Sequence, residues 1–150
     1  MKKDIPLNEI TLRKYEKPYS TTKRELMKKI CLSLGLLQSG DSRDVIVDIL
    51  LVLDEARKIR KELTSDEIKE KVEKIRQENS LEMKGIAESN MRRQLKRLRD
   101  LMLVEKNANN YSLSEFLPLN EIFQEKIENF LIPDILKRVK EHLEELEKDL

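Results

Sequence analysis

The chain has 150 residues, with 30 Lys and Arg against 29 Asp and Glu and a formal net charge of +1. Charged residues make up 39% of it, against about 25% in an average globular protein. A uniformly basic nucleic-acid coat is therefore excluded, but a local basic patch is not. One Cys and one His exclude an internal disulfide, a Cys-based zinc site and a multi-His metal site, and no metal or cofactor is expected. Three Gly, four Pro and no Trp argue against a β-sandwich. The longest apolar run, Val45 to Leu53, is broken by Asp48 and falls short of the roughly 18 residues of a membrane span. Met1-Lys2-Lys3-Asp4 leads into no signal-peptide stretch, so a soluble cytoplasmic protein without a membrane partner is expected. High charge with few aromatics also fits a heat-adapted source.

Residues 1–20 develop no helical stripe and are interrupted by Pro6 and Pro18. They read as an N-terminal arm, most simply a flexible basic tail. A short strand or docked arm around Ile10-Thr11-Leu12-Arg13 is the alternative. Thr22 followed by Glu25 forms a capping box, and Leu26, Met27, Ile30, Leu34 and Leu37 continue it as a helix stopped by Ser39-Gly40. A second helix, capped by Asp41 or Ser42, carries a broad stripe from Val45 through Leu53 and Ala56 to Ile59 and runs to about Glu62. Such width suits the central helix of the core. Leu63-Thr64-Ser65-Asp66-Glu67-Ile68 is a hydroxyl cap followed by first-turn acids. It opens a short third helix with Ile68, Val72 and Ile75 on one face, ending near Asn79-Ser80.

The fourth helix starts at Ile86 or at a Ser89 cap. Met91, Leu95, Leu98 and Met102 form a narrow core stripe. At 100° per residue from Met91, Arg93, Lys96 and Arg97 lie at about 200°, 140° and 240°, with Arg92 and Arg99 on one flank near 100° and 80°. Leu103-Val104-Glu105-Lys106, an Asn107-Ala108-Asn109-Asn110 turn and Tyr111-Ser112-Leu113 read as a β-hairpin. Leu119, Ile122, Phe123, Ile127, Phe130 and Leu131 then stripe another helix, which Pro133 interrupts or restarts. Beyond it Ile132, Leu136, Val139, Leu143, Leu146 and Leu150 recur at spacings of 4, 3, 4, 3 and 4, a 3.5-residue repeat.

Charge concentrates in one place. Residues 84–106 carry seven Lys or Arg against three Asp or Glu, a net +4 in a chain whose total is +1. A cationic helix face releases counterions from DNA, and a helix fits the major groove, where Arg can bond guanine. Arg93, Lys96 and Arg97 are the groove-facing candidates, flanked by Arg92 and Arg99. Ser89 and Asn90 at the helix start could reach phosphate or base edges, and Asn107, Asn109 and Asn110 could touch the DNA from the hairpin tip. The plainer reading is a solvated basic face. The terminal repeat has two readings as well: a seam with a second copy, formed by Ile132, Leu136, Val139, Leu143, Leu146 and Leu150, or a helix packed on its own domain. Cys31 reads as a core thiol and His142 as a surface histidine. No catalytic constellation is visible, so no enzyme is expected.

Over about residues 41–116, the helix, short cap-led helix, basic helix and hairpin resemble the winged helix-turn-helix transcription regulators of archaea and bacteria. Leu63–Ile68 resembles the start of their helix 2, Ser89–Leu98 their recognition helix, and Leu101–Lys106 with Tyr111–Leu113 the exit into their wing. The connection before the fourth helix is longer than their usual tight turn. The resemblance implies a mainly α fold with a small hairpin: a winged-helix core at 21–116 and a C-terminal dimerisation element at 117–150. It implies a homodimer binding double-stranded DNA, its effector unknown. A winged-helix module that binds only protein is the alternative, since fold alone does not set function.

Overall fold

The computed structural model describes residues 4–148. It is mainly helical with one small antiparallel sheet. In chain order the elements are α1 (Lys23–Ser33), α2 (Val45–Lys58), β1 (Leu63–Thr64), α3 (Ser65–Glu78), α4 (Glu88–Asp100), β2 (Val104–Asn107) and β3 (Asn110–Leu113). A 3-10 turn, Ser114–Phe116, leads to α5 (Leu119–Ile122), which passes through a π-helical stretch, Phe123–Leu131, into α6 (Ile132–Glu147).

The centre is α2. Ten of its 14 residues are buried, from Val45 to Leu50 and again at Val52, Leu53, Asp54 and Ala56, and α1, α3, α4 and β3 pack around it. Full burial of a Leu or Ile side chain contributes about 1.5–3 kcal/mol each, so this one helix supplies much of the apolar driving force. Its N-cap is Asp44 rather than Asp41 or Ser42, and the Asp44 side chain makes no capping hydrogen bond. It ends at Lys58, which leaves Ile59 outside the stripe and 73% exposed.

Four helices end the same way. The residue after each C-cap has positive φ: Gly35 (70°), Arg60 (52°), Ser80 (53°) and Met102 (65°). In each case its N–H and the next one reach back to the last turn, as in Leu36 N–H to Cys31 O at 2.9 Å and Leu103 N–H to Leu98 O at 3.0 Å. These are Schellman closures. They correct two boundaries read from sequence. Helix α1 stops at Ser33, not at Ser39-Gly40, and Met102 closes α4 while Leu101 takes the buried place beside Leu98. Gly35 is required at its site: besides its φ, a Cβ there would lie 2.5 Å from the Thr11 Cβ.

That contact belongs to the arm. Residues 4–20 carry no helix or strand, yet they are not a detached tail. Arg13 N–H donates to Ser33 O at 2.8 Å, Ile10 and Tyr15 pack against the core, and the Lys29 ammonium lies 5.1 Å from the Tyr15 ring centre. Cys31 is fully buried among the core side chains, and burial pushes its thiol pKa up to about 12.

The hairpin has company that sequence periodicity did not indicate. Leu63 and Thr64, read as the lead-in to a helix, also pair with Tyr111 and Asn110, giving a three-stranded sheet in the order β1-β3-β2. The same Thr64 closes a full capping box with Glu67. Its backbone N–H and hydroxyl both donate to the Glu67 carboxylate, led by the backbone bond, and hold that carboxyl below its ordinary pKa.

Of the two readings of Pro133, the restart is the one present: α6 begins at Ile132 with the proline in its first turn, and the chain runs into it from the π-helical stretch without a gap. Pro133 lacks an N–H, and its ring crowds the carbonyl four residues back. The wider π turns run up to Leu131, just ahead of it. They also shift the inward positions: Ile122, Ile127 and Leu131 are buried, at spacings of five and four, and Phe130 turns outward.

Candidate nucleic-acid interface

Helix α4 is fixed on its inner face by Met91, Leu95 and Leu98, all buried. Its outer face carries the cations, and the sheet decides which of them meet. A groove of about 630 Å³ runs between the N-terminus of α3, one flank of α4 and the hairpin. Its walls hold Thr64, Ser65 and Asp66 on one side, Arg92, Lys96 and Arg99 on the second, and Lys106 and Asn109 on the third. Four cations thus face one carboxylate across a concave strip. The Lys106 ammonium also lies 5.7 Å from the Tyr111 ring centre, which sets its stem along the β-ladder.

This is a rotated version of the face expected from the helical wheel. Arg92 and Arg99, read as flank residues, line the groove together with Lys96. Arg93 is exposed outside it and donates to Asn90 Oδ1 at 2.7 Å. Arg97 departs furthest from its expected role. It is partly buried, and its guanidinium donates to Gln94 Oε1 at 2.8 Å and to Gly35 O at 3.3 Å, the carbonyl just past the end of α1. A cation at a helix C-terminus is well placed electrostatically, and here it ties α4 to α1 instead of facing outward.

Asn90 is likewise committed internally. Its Nδ2 donates to Gly85 O at 2.6 Å, and its Oδ1 accepts from both Arg93 and Gln94. It anchors the loop before α4, whose N-cap is Ala87 rather than Ser89 or the residue before Ile86. Ser89 is exposed in the first turn. At the hairpin, Asn107 and Asn110 pair across the ladder instead of forming the turn. The tip is the two residues Ala108 and Asn109, and the positive φ expected of an Asn falls on Ala108 (56°). Of the three asparagines, only Asn109 lines the groove.

Lys106 is a groove residue that the helical wheel could not supply, although it lies in the net-positive segment. Its strand position opposite Tyr111 turns it to the same side as the α4 flank. A second feature carries no signal in the sequence pattern. Asp48 is 0% exposed and Arg76 is 1% exposed. Arg76 donates to both Asp44, at 3.0 Å, and Asp48, at 2.6 Å, and its Nε donates to Glu82 O at 2.6 Å. Arg24 reaches the same two carboxylates from α1. The cluster joins α1, α2, α3 and the connection leading into α4, and so sets where the basic helix starts. Burial by itself raises the pKa of Asp44, but the hydrogen bonds and charge of Arg24, then of Arg76, outweigh it and hold that carboxyl below its ordinary value.

The cations of the groove wall are not idle. Arg92 pairs with Glu88 at 2.7 Å and Lys96 with Asp100 at 3.1 Å, both at i,i+4 spacing and both exposed. Exposed pairs of this kind contribute only about 0.3–0.5 kcal/mol, so a competing phosphate can displace the carboxylate.

The terminal repeat lies apart from this groove. No residue of α6 is buried. Leu136, Val139, Leu143 and Leu146 are 51%, 49%, 55% and 71% exposed. Ile132 packs partly against the core, and Leu150 lies outside the described residues. No helix among the described residues is long and apolar enough to cross a membrane. Comparison with protein-family models, curated proteins and solved structures gives no match for this chain.

Proposed function

We propose that this chain is a winged helix-turn-helix protein that binds double-stranded DNA as a homodimer and acts, without catalysis, as a cytoplasmic transcription regulator. The order α2, β1, α3, α4, β2, β3 with a β1-β3-β2 sheet supports the winged-helix reading. The observation that carries the function is the groove in which Arg92, Lys96, Arg99 and Lys106 converge from α4 and the hairpin. In this reading α4 enters the major groove, Lys96 and the two arginines neutralise phosphate or read base edges, and Lys106 and Asn109 hold the flanking backbone. The exposed repeat of α6 joins two copies, which would match two half-sites about one helical turn apart.

The test is fluorescence anisotropy of a random-sequence duplex across a salt series. Wild-type affinity falls steeply with salt. The Arg92→Ala/Lys96→Ala/Arg99→Ala variant gives a log–log slope shallower by about three, near 0.9 for each phosphate it no longer neutralises. No binding by the wild type at low salt sinks the proposal. One observation favours a second reading, a protein-interaction module: Arg92 and Lys96 are already paired within their own helix. That reading expects charge reversal at these positions to leave partner binding intact.

A further inference from the structure

The geometry points to a parallel two-stranded seam along α6, in which Leu136, Val139, Leu143 and Leu146 each meet the same residue of a second copy. This rests on the dimer proposed above and specifies its orientation. Only the first turn of this 16-residue helix, through Ile132 and Ile135, packs against the core, and none of its residues is buried, while isolated helices of this length are marginal in water. Its apolar residues nevertheless hold a 3.5-residue period over Leu136–Leu146. That is the pattern of a helix whose partner repeats the same seam.

The flanking residues choose between orientations. Beside the apolar positions stand Ile135 and His142 on one side and Lys140 and Glu147 on the other. An antiparallel pair that keeps all four apolar layers sets Leu136 against Leu146 and Val139 against Leu143. It also brings Lys140 against Lys140 across the two-fold axis, and like charges directly opposed oppose association. Sliding that pair by one heptad puts Lys140 beside Glu147. It leaves only Leu143 and Leu146 facing each other within the described residues, half of the seam. The parallel pair keeps all four layers in register. It places His142 of each copy beside Glu147 of the other, a donor beside an acceptor, and lays the Lys140 stem along Ile135. The apolar surface also continues off the helix, because Pro6 and Leu7 of the arm border a cleft whose other wall includes Ile135, Val139 and His142.

Single-cysteine crosslinking in the full chain tests this. Leu136→Cys, Val139→Cys, Leu143→Cys and Leu146→Cys are each oxidised alone, with Lys137→Cys on the outer face as the collision control and circular dichroism to verify folding. Cys31 is fully buried and gives no background. The expected result is a sedimentation mass of two chains and a covalent dimer from every seam variant alone, at least about tenfold above the control, since a paired position works at mM effective concentration. A two-chain mass with no single-variant crosslinking overturns the parallel seam and leaves the dimer standing; crosslinking in a Leu136→Cys plus Leu146→Cys mixture then marks the antiparallel pair with all four layers, and crosslinking in a Leu143→Cys plus Leu146→Cys mixture the slid one. A mass of four chains, or crosslinking of Lys137→Cys equal to that of the seam, also overturns it. A monomer at all concentrations with no crosslinking overturns the seam and the dimer together.

Discussion

Two groups of ion pairs in this protein have nearly the same geometry and opposite surroundings. Arg76 and Arg24 meet Asp44 and Asp48 at 2.6–3.2 Å in the interior, with Asp48 and Arg76 wholly shielded. Arg92 and Lys96 meet Glu88 and Asp100 at 2.7 and 3.1 Å on the outer face of α4, with more than half of each side chain in solvent. A unit-charge pair at 4 Å is worth about 1 kcal/mol in bulk water and about 4 kcal/mol at an effective dielectric of 20. Distance therefore does not tell the two groups apart; solvent does. The interior cluster is a fixed joint that holds α1, α2, α3 and the connection to α4. The exterior pairs are exchangeable, because solvent leaves each of them weak.

The strongest way to break this contrast is to remove one member of the interior group. Arg76→Ala strands Asp44 and Asp48 and frees the Glu82 carbonyl. Breaking a buried pair in this way costs about 3–5 kcal/mol, which urea denaturation reads as a lower midpoint. Replacement by Met, with no charge to pair, leaves the same two carboxylates short of a partner and is expected to lose nearly as much. A loss below about 1 kcal/mol, the range of a surface pair, would show that the interior cluster is no joint.

Acid probes the same cluster more gently. The folded-state pKa of Asp44 lies below its unfolded value, so the unfolded chain binds the extra proton between the two values and stability rises with pH there. The Asp44 contribution is therefore present above the ordinary carboxylate value near 4 and is lost as pH falls through the lowered one. Urea midpoints measured from pH 7 downward are expected to decline in that acid window. The decline is shallower in Asp44→Asn than in the wild type, and parallel curves would remove Asp44 from the account.

Arg97 sharpens the comparison because it sits between the two groups, partly buried and bonded to Gly35 O. Hydrogen bonds from charged groups contribute about 1.5–3 kcal/mol when shielded. With part of the side chain in solvent, Arg97→Ala is expected to cost about 1 kcal/mol. It should leave the salt slope of DNA binding unchanged, while Lys96→Ala does the reverse. A shallower slope in Arg97→Ala would return Arg97 to the interface.

This sorting also explains what could be read from the sequence. The hydroxyl caps at Thr22 and Thr64, the α2 stripe and the hairpin follow from local rules and are present, although the capping box read at Thr22 forms only its half from Glu25 N–H to Thr22 Oγ1. The ends of α2 and α4 were less legible, because Arg60 and Met102 occupy the left-handed position usually taken by glycine, whereas α3 stops where Asn79-Ser80 marks it. Asp48 read as an interruption of an apolar run because its partners, Arg24 and Arg76, are 24 and 28 residues away. The basic segment was visible as a charge excess. Which of its cations share the groove was not, since that depends on where β1 and the hairpin stand. Arg93, Lys96 and Arg97 share one side of an isolated helix. The tertiary frame keeps Lys96, gives Arg97 to Gly35, and adds Arg92, Arg99 and Lys106.

The smallest expected effect is the most direct test of exchangeability. Glu88→Gln and Asp100→Asn keep the shape of the α4 surface and release Arg92 and Lys96 from their intrahelical partners. Because both pairs are exposed, stability should change by no more than about 1 kcal/mol for the two together, at most about 0.5 for each. The released cations and the removal of two negative charges make the groove more attractive to phosphate. Duplex affinity at moderate salt should therefore rise in the double variant, and the gain should shrink as added salt screens the groove. A large loss of stability would place these pairs with the interior cluster. Unchanged affinity at every salt concentration would mean that Arg92 and Lys96 never meet phosphate, and the exterior group would then be only a solvated helix face.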